Sequence, residues 1–197
     1  MSTIAESTGT ATDPAPVTDA DSNRSAWRLA AAAGLGAAVS IALGVYGRTH
    51  RPTGERIVDL GGVATLEAKA WTATAVIVLV GVQLVSASWM FGRILRTRPA
   101  PRWLPATHRW SGTAAFLATL PVAYHCLWSL GFQDTTPRVL VHSITGCLFY
   151  GAMATKLLVL RSQHMPRWAL PVAGSLLVTA LTVIWLTSSL WFFTNVA

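Results

Sequence analysis

Charged residues are scarce in this chain of 197 residues. They make up 12% of it, whereas an average soluble domain carries about 25%. Hydrophobic residues account for 52%, and the mean hydropathy is +0.47. This chain lacks the polar surface that a water-soluble protein of its size needs. The composition therefore excludes a soluble enzyme, a fibrous protein and a disulfide scaffold. It indicates a membrane protein.

Cysteines and intramembrane carboxylates are also scarce. Cys126 and Cys147 both fall in apolar segments, where a thiol usually behaves as a small hydrophobic group. A zinc site needs three or four ligands close together, and these cysteines do not supply one with the nearby His125 and His142. Asp and Glu are absent from the middle of every apolar run, and no long internal repeat is present. Both absences disfavour a proton-coupled or inverted-repeat transporter.

Five apolar runs predict membrane-spanning helices, because a hydrocarbon core about 30 Å thick needs about 20 apolar residues. The runs cover residues 29–47, 71–92, 110–132, 138–160 and 168–193. Residues 1–26 are rich in Ser, Thr, Ala, Pro and Asp and predict a disordered cytoplasmic tail. The predicted fold class is therefore all-α, with residues 27–197 forming a five-span transmembrane helical bundle in a lipid bilayer.

The distribution of basic residues predicts the orientation. A net charge of +7 would suggest nucleic acid in a soluble protein, but most basic residues lie in short loops between apolar runs, so we expect no nucleic-acid partner. Residues 93–109 contain five arginines and no acid, and residues 161–167 contain two arginines and no acid. These turns predict a protein of the cytoplasmic membrane with its N-terminus inside and its C-terminus outside. The mixed-charge loop of residues 48–69 conflicts with this orientation, and we give it less weight.

Histidines at membrane depth are the strongest functional candidates, because ionisable residues there are rare. His125 lies about ten residues before the bend that joins spans three and four, and His142 lies about seven residues after it. At about 1.5 Å per residue, their depths match to about 5 Å. Two imidazoles at equal depth on antiparallel helices can ligate one haem iron. The chain has no C-x-x-C-H attachment motif, so the predicted cofactor is a non-covalent haem b.

Three neighbouring residues fit a haem site. Gly146 lies one turn after His142 and Gly112 lies one turn after His108. Glycines allow a flat macrocycle to approach the backbone, although small residues also serve plain helix packing. Arg138 lies one turn before His142, where it can pair with a haem propionate.

A second, inner haem is an open alternative. His108 begins span three and is a candidate ligand or contact of such a haem, about 25 Å along the helix from His125. His164 follows span four in an arginine-containing turn, where a solvated surface histidine is the natural interpretation. Hydrogen bonding between helices is the alternative role for the intramembrane histidines.

A sequence resemblance supports the haem hypothesis. Residues 107–156 read THRWSGTAAFLATLPVAYHCLWSLGFQDTTPRVLVHSITGCLFYGAMATK. This stretch, with its H-R-W-x-G opening at His108, resembles the haem-bearing core of cytochrome b561 and ferric-reductase-like membrane cytochromes. The resemblance implies that His125 and His142 are axial ligands and that His108 is a ligand or contact of an inner haem. Residues 27–193 also resemble a family of actinobacterial membrane proteins of unknown function.

The cytochrome families carry two haems b in a four-helix core, with ligand pairs commonly on alternate helices. Here the second span has no histidine, and the best pair lies on consecutive helices. The number of haems, one or two, therefore stays open. The sequence predicts a b-type cytochrome-like protein, an oxidoreductase subunit for membrane electron transport that exchanges electrons with a quinone or a redox partner protein. A non-haem structural or assembly subunit of a membrane complex is the alternative, and no residue is predicted to be catalytic.

Overall fold

The computed structural model describes residues 19–55, 65–95, 97–162 and 165–196, with side chains from residue 23 onward. Within these ranges the chain is helical and contains no β-strand. Cys126–Leu130 is a π-helical turn that continues α3, and Leu186–Leu190 is a second π-helical turn that joins α5 to α6. The helices are α1 (Asp19–Thr49), α2 (Thr65–Met90), α3 (Leu104–His125), α4 (Pro137–Arg161), α5 (Ala169–Trp185) and α6 (Trp191–Asn195).

In the described ranges, five continuous helical segments are long and apolar enough to cross a membrane. The prediction of an all-α, five-span protein is confirmed, and the chain is a multi-pass membrane protein. The segments are Asn23–Thr49, Thr65–Met90, Leu104–Leu130, Pro137–Arg161 and Ala169–Asn195.

The helix boundaries differ from the predicted ones. Helix α1 begins at Asp19, so residues 19–26 of the predicted tail are helical, whereas residues 1–18 lie outside the described part of the chain. Helix α2 begins six residues before the predicted start at Trp71. Hydropathy finds only the apolar part of a helix, and polar turns can continue it into the interface. Helix α2 ends at Met90, and Gly92 then adopts a φ of +64°, a conformation that favours glycine after a helix.

The packing order of the helices differs from their order in the chain. Helix α1 packs on α4, α2 packs on α3, and α5 packs on α4 and α2. Helices α3 and α4 are consecutive, yet side chains rather than closely packed backbones connect them. The Tyr150 hydroxyl lies 3.2 Å from the Thr119 carbonyl oxygen and 3.0 Å from its hydroxyl oxygen. The two helices therefore face each other across a space within the bundle.

Small residues dominate the closest helix contacts. Lipid chains are as apolar as leucine, so membrane helices associate through close packing rather than through the hydrophobic effect. Several small side chains are accordingly buried in the helix contacts. Among the described residues, three buried clusters form the core: Ala32 with Val159 and Ala169, Val76 with Val80 and Ala115, and Phe149 with Leu177 and Ala180.

The end of α1 and the segment that follows it form hydrogen bonds with the end of span three, at and just after its π-helical turn. The Phe132 amide donates to the Gly47 carbonyl at 2.7 Å, and the Gly54 amide donates to the Ser129 carbonyl at 3.1 Å. The Ser129 hydroxyl in turn donates to the Glu55 carbonyl at 2.8 Å. These bonds satisfy backbone groups that the end of a helix leaves without partners. We call this end of the bundle the Arg138 end, and the opposite end the His108 end.

Candidate functional site

A cavity of about 400 Å³ lies between α2, α3, α4 and the fifth span, at the Arg138 end. Its walls are mainly apolar and include Ile77, Val122 and Ile184. Pockets for small molecules are typically about 300–1,000 Å³, with apolar walls and a few convergent polar groups. The space between α3 and α4 thus has the size and chemistry of a binding site for a hydrophobic molecule.

His142 lies on the wall of this cavity and contacts Thr187 through its imidazole. The imidazole Nδ1 is 3.1 Å from the Thr187 hydroxyl oxygen, which itself lies 2.7 Å from the Val183 carbonyl oxygen. A hydroxyl has one hydrogen. When the Thr187 hydroxyl donates to the Val183 carbonyl, which can only accept, it accepts from His142 Nδ1–H. This leaves Nε2 unprotonated, which is the state of a histidine that binds a metal and is oriented by a second group.

Both π-helical turns line the cavity. Thr187, Ser188 and Ser189 belong to the turn in the fifth span, and Cys126 and Leu130 belong to the turn in span three. A π-helical turn shifts the phase of the helix that follows it and is frequent at functional sites. Sequence reasoning missed Thr187, although a Thr-Ser-Ser run inside an apolar span was a signal that could have indicated it.

His125 is buried but lies on a different pocket. Its side chain is 5% exposed, and its buried Nδ1 has no hydrogen-bond partner among the described residues. It lines a smaller neighbouring pocket, which shares Leu66, Lys69 and Leu130 with the main cavity. The two predicted ligands thus lie on adjoining pockets and not on the same one.

Helix geometry explains this separation. Helix α3 presents Ala118, Val122 and Cys126 to the cavity at intervals of four residues. His125 lies about 60° around the helix from Val122, on the side away from Ala123 and Cys126, which places it at the edge of the face that lines the cavity. Counting residues from the bend predicts depth in the membrane, but it does not predict which way a side chain points.

Gly146 and Arg138 both line the main cavity, as the haem prediction requires. A Cβ atom added to Gly146 would meet nothing within 4 Å, so the backbone here borders open space. The Arg138 guanidinium donates to the Thr187 carbonyl oxygen and lies 3.9 Å from the centre of the Trp191 ring. Arg138 is therefore held in place by the fifth span, through a hydrogen bond and a cation–π contact.

Lys69 is a second cation at the cavity, which sequence reasoning did not select. Lys69 lines both pockets, the one that contains His142 and the one that contains His125. Among the described residues no Asp or Glu lines the cavity, and none forms a salt bridge with Lys69. The polar end of the cavity is therefore cationic.

His108 lies in a separate polar cluster at the His108 end. Its Nδ1 is 2.8 Å from the Ser86 hydroxyl oxygen, which also bonds a carbonyl of its own helix. The Gln83 side-chain amide donates to the His108 carbonyl and to the Ser111 hydroxyl. A Cβ atom on Gly112 would lie 3.0 Å from the Gln83 side chain, so Gly112 makes room for that glutamine. His108 and Gly112 line neither of the two pockets described above.

His50 lies apart from the cavity. His50 stacks against Tyr46 and Trp128, with ring centroids 5.1 Å and 4.6 Å away. His164 lies outside the described residues. Across the described ranges, no three or more His, Cys, Asp or Glu residues are grouped so that they could hold a metal ion.

Comparisons with known proteins identify a family but not an activity. No curated protein and no solved structure matches the chain. The resemblance to membrane cytochromes stays a prediction. A family described as a family of unknown function (DUF6529) matches residues 29–197, which contain nearly all of the five spans. The chain belongs to this family.

Proposed function

We propose that this protein is a b-type cytochrome-like subunit that holds a haem b in the main cavity and carries electrons in the cytoplasmic membrane. The observation that carries the proposal is His142, which lies on a 400 Å³ apolar cavity with Nδ1 3.1 Å from the Thr187 hydroxyl, an arrangement that fits a neutral imidazole with Nε2 unprotonated. Haem-ligating histidines need this neutral form, and a second group that holds the ring improves the ligand.

The other walls of the cavity also fit the cofactor. Gly146 leaves open space beside the backbone, one turn from His142. Lys69 and Arg138 offer positive charge where propionate groups could bind. His125 is the candidate for a second axial ligand because its imidazole is buried on the adjoining pocket, but it lacks an orienting group such as Thr187 provides for His142. Its approach to the same iron would require movement of Leu66 and Leu130, which belong to the shared wall.

In this proposal the cofactor would supply reversible one-electron chemistry, while the protein tunes and positions it. The apolar walls would exclude water, and the Thr187 hydroxyl would raise the basicity of the His142 ligand. A quinone or a redox partner protein would exchange electrons with the site. The orientation with the N-terminus inside and the C-terminus outside belongs to the same proposal.

A visible spectrum tests the proposal directly. Protein expressed with ample haem and purified in detergent should give a reduced-minus-oxidised spectrum and a pyridine haemochrome of b type. The variant His142→Ala should lose most of the haem, whereas His50→Ala should retain it, because His50 lies away from the cavity. His125→Ala should keep the haem but lose its low-spin signal. Colourless wild-type protein would rule out the cytochrome.

A non-haem structural or assembly subunit is the second candidate, and a specific observation favours it. The bonds His142–Thr187 and His108–Ser86 each join two different helices, so these histidines already have a stabilising role. In that case His142→Ala would lower the unfolding midpoint of haem-free protein, and added haem would not raise the midpoint of the wild type.

A further inference from the structure

We infer that Lys69 is the anion-binding residue of the main cavity, which selects a ligand that carries a carboxylate on a large apolar body. This inference deepens the proposed function and rests on it for haem as the ligand, since propionates are such carboxylates. The same chemistry belongs to the carboxylate of a long acyl chain.

The contrast between the two cations at the cavity supports this role. Arg138 is engaged by the Thr187 carbonyl and the Trp191 ring. Lys69 is half-buried on the cavity wall, without a hydrogen bond or an ion pair to another described residue. A charge partly withdrawn from water is costly unless an opposite charge compensates it. An anionic group in the cavity would provide that compensation.

A second and independent observation points to a ligand in the same cavity. Ser189 is 1% exposed, lines the cavity, and its hydroxyl oxygen has no hydrogen-bond partner among the described residues. Buried hydroxyl groups in native proteins almost always have a partner. The hydroxyl oxygen is itself inaccessible, so a ligand with a hydrogen-bonding group would satisfy it after rotation of the Ser189 side chain toward the cavity.

The lining of the cavity therefore indicates a ligand with two parts, an apolar body and a charged group. Alanine, valine and isoleucine side chains surround the body of the cavity, and they favour rings or methylene chains. Lys69 sits near the beginning of α2, where the cavity becomes polar. Esterification of the carboxylate would remove its charge and leave the apolar body unchanged, so paired acids and esters isolate the contribution of Lys69.

The test uses detergent-purified full-length protein at pH 8 and two acid–ester pairs. The pairs are haem b with its dimethyl ester, and cis-parinaric acid with its methyl ester. Wild-type protein should bind at least one acid more tightly than its ester, by about tenfold or more, as expected for a hydrogen bond to a charged group. Lys69→Met should bring that ratio near one with little change in ester affinity. Lys156→Met is the matched control, because Lys156 is another half-buried lysine within a span but does not line the cavity.

The two probe pairs separate the possible failures. A Lys69-dependent preference for haem over its ester supports both the inference and the cytochrome proposal. If only parinaric acid shows the Lys69-dependent preference and haem does not bind, the cytochrome proposal fails and the anion site stands. The inference is overturned if neither acid is preferred, if no probe binds, or if the preference survives in a folded Lys69→Met variant.

Discussion

Gly36 of α1 lies directly against Gly151 of α4, so that a Cβ atom on Gly36 would be 2.5 Å from the Gly151 carbonyl oxygen. At the same crossing the Thr155 hydroxyl lies 3.3 Å from the Ala32 carbonyl oxygen. Such close approach of small residues is typical of helix pairs in membranes. Because α1 packs mainly on α4, this crossing joins the first span to the bundle.

The crossing predicts a large difference between two alanine substitutions in the same helix. Gly36→Ala should lower the free energy of unfolding by about 1–3 kcal/mol, the usual cost of overpacking a close contact. Gly34→Ala should have little effect, since a Cβ atom there meets nothing within 4 Å. Unfolding in a denaturing detergent, followed by circular dichroism, measures both. Equal stabilities of the two variants would contradict the close crossing.

We expect the Thr187 hydroxyl to strengthen haem binding, and one substitution can remove it without a large change in packing. Thr187→Val keeps the side-chain shape but removes the oxygen that accepts from His142 Nδ1–H. If the cavity holds haem, its affinity should fall by about 10–100-fold, as for other groups that orient a metal ligand. Haem titration into haem-free protein measures this. Thr182→Val is the control, because the Thr182 hydroxyl bonds only a carbonyl of its own helix, and equal affinities of the two variants would refute the tautomer argument.

The orientation can be checked with reporter fusions. The acid-free basic turns predict that residues 93–109 are cytoplasmic and that the C-terminus is outside. A reporter that is active only outside the cytoplasm should be active when it is fused after Ala197. A reporter that is active only in the cytoplasm should be active when it is inserted between Arg98 and Pro105. The same side for both positions would contradict the five-span topology, and reversal of both would contradict only the orientation.

The ion pair between Arg48 and Asp134 predicts a small pH effect. A hydrogen bond from the Arg48 guanidinium, together with its charge, holds the pKa of the Asp134 carboxyl below its ordinary value. The native pKa is then lower than the unfolded one, so the pair stabilises the protein above the unfolded pKa, about 3.9, and the effect is lost as pH falls through the native pKa.

Asp134→Asn should therefore lower the melting temperature slightly at pH 7 in low salt, and not at a pH below the native pKa. Added salt should shrink the difference at pH 7, because both side chains are solvent-exposed. Arg48→Gln should reproduce the result. A difference in melting temperature that stays constant across this pH range would indicate a role for Asp134 other than this ion pair.

The sequence by itself determined the five spans. A bilayer about 30 Å thick makes every buried polar group costly, so each span must be a continuous apolar run that can be read directly from the sequence. The sequence also placed Gly146 on the same side of α4 as His142, since residues four apart share a helix face. Both line the main cavity in the structure.

Only the tertiary structure decided which side chains share a cavity. His125 and His142 were predicted to lie at matched depth and to ligate one haem, but each helix is rotated by its packing against all its neighbours, and His125 lies on the adjoining pocket. Lys69 reaches the cavity from span two and Thr187 from span five, both far from His142 in the chain. The π-helical turns further shift the helix phase, and no count along an ideal helix contains that shift. The depth of a residue in the membrane follows from its distance along the helix. The rotation of the helix, and the side chains that it meets, follow from the packing of the whole bundle.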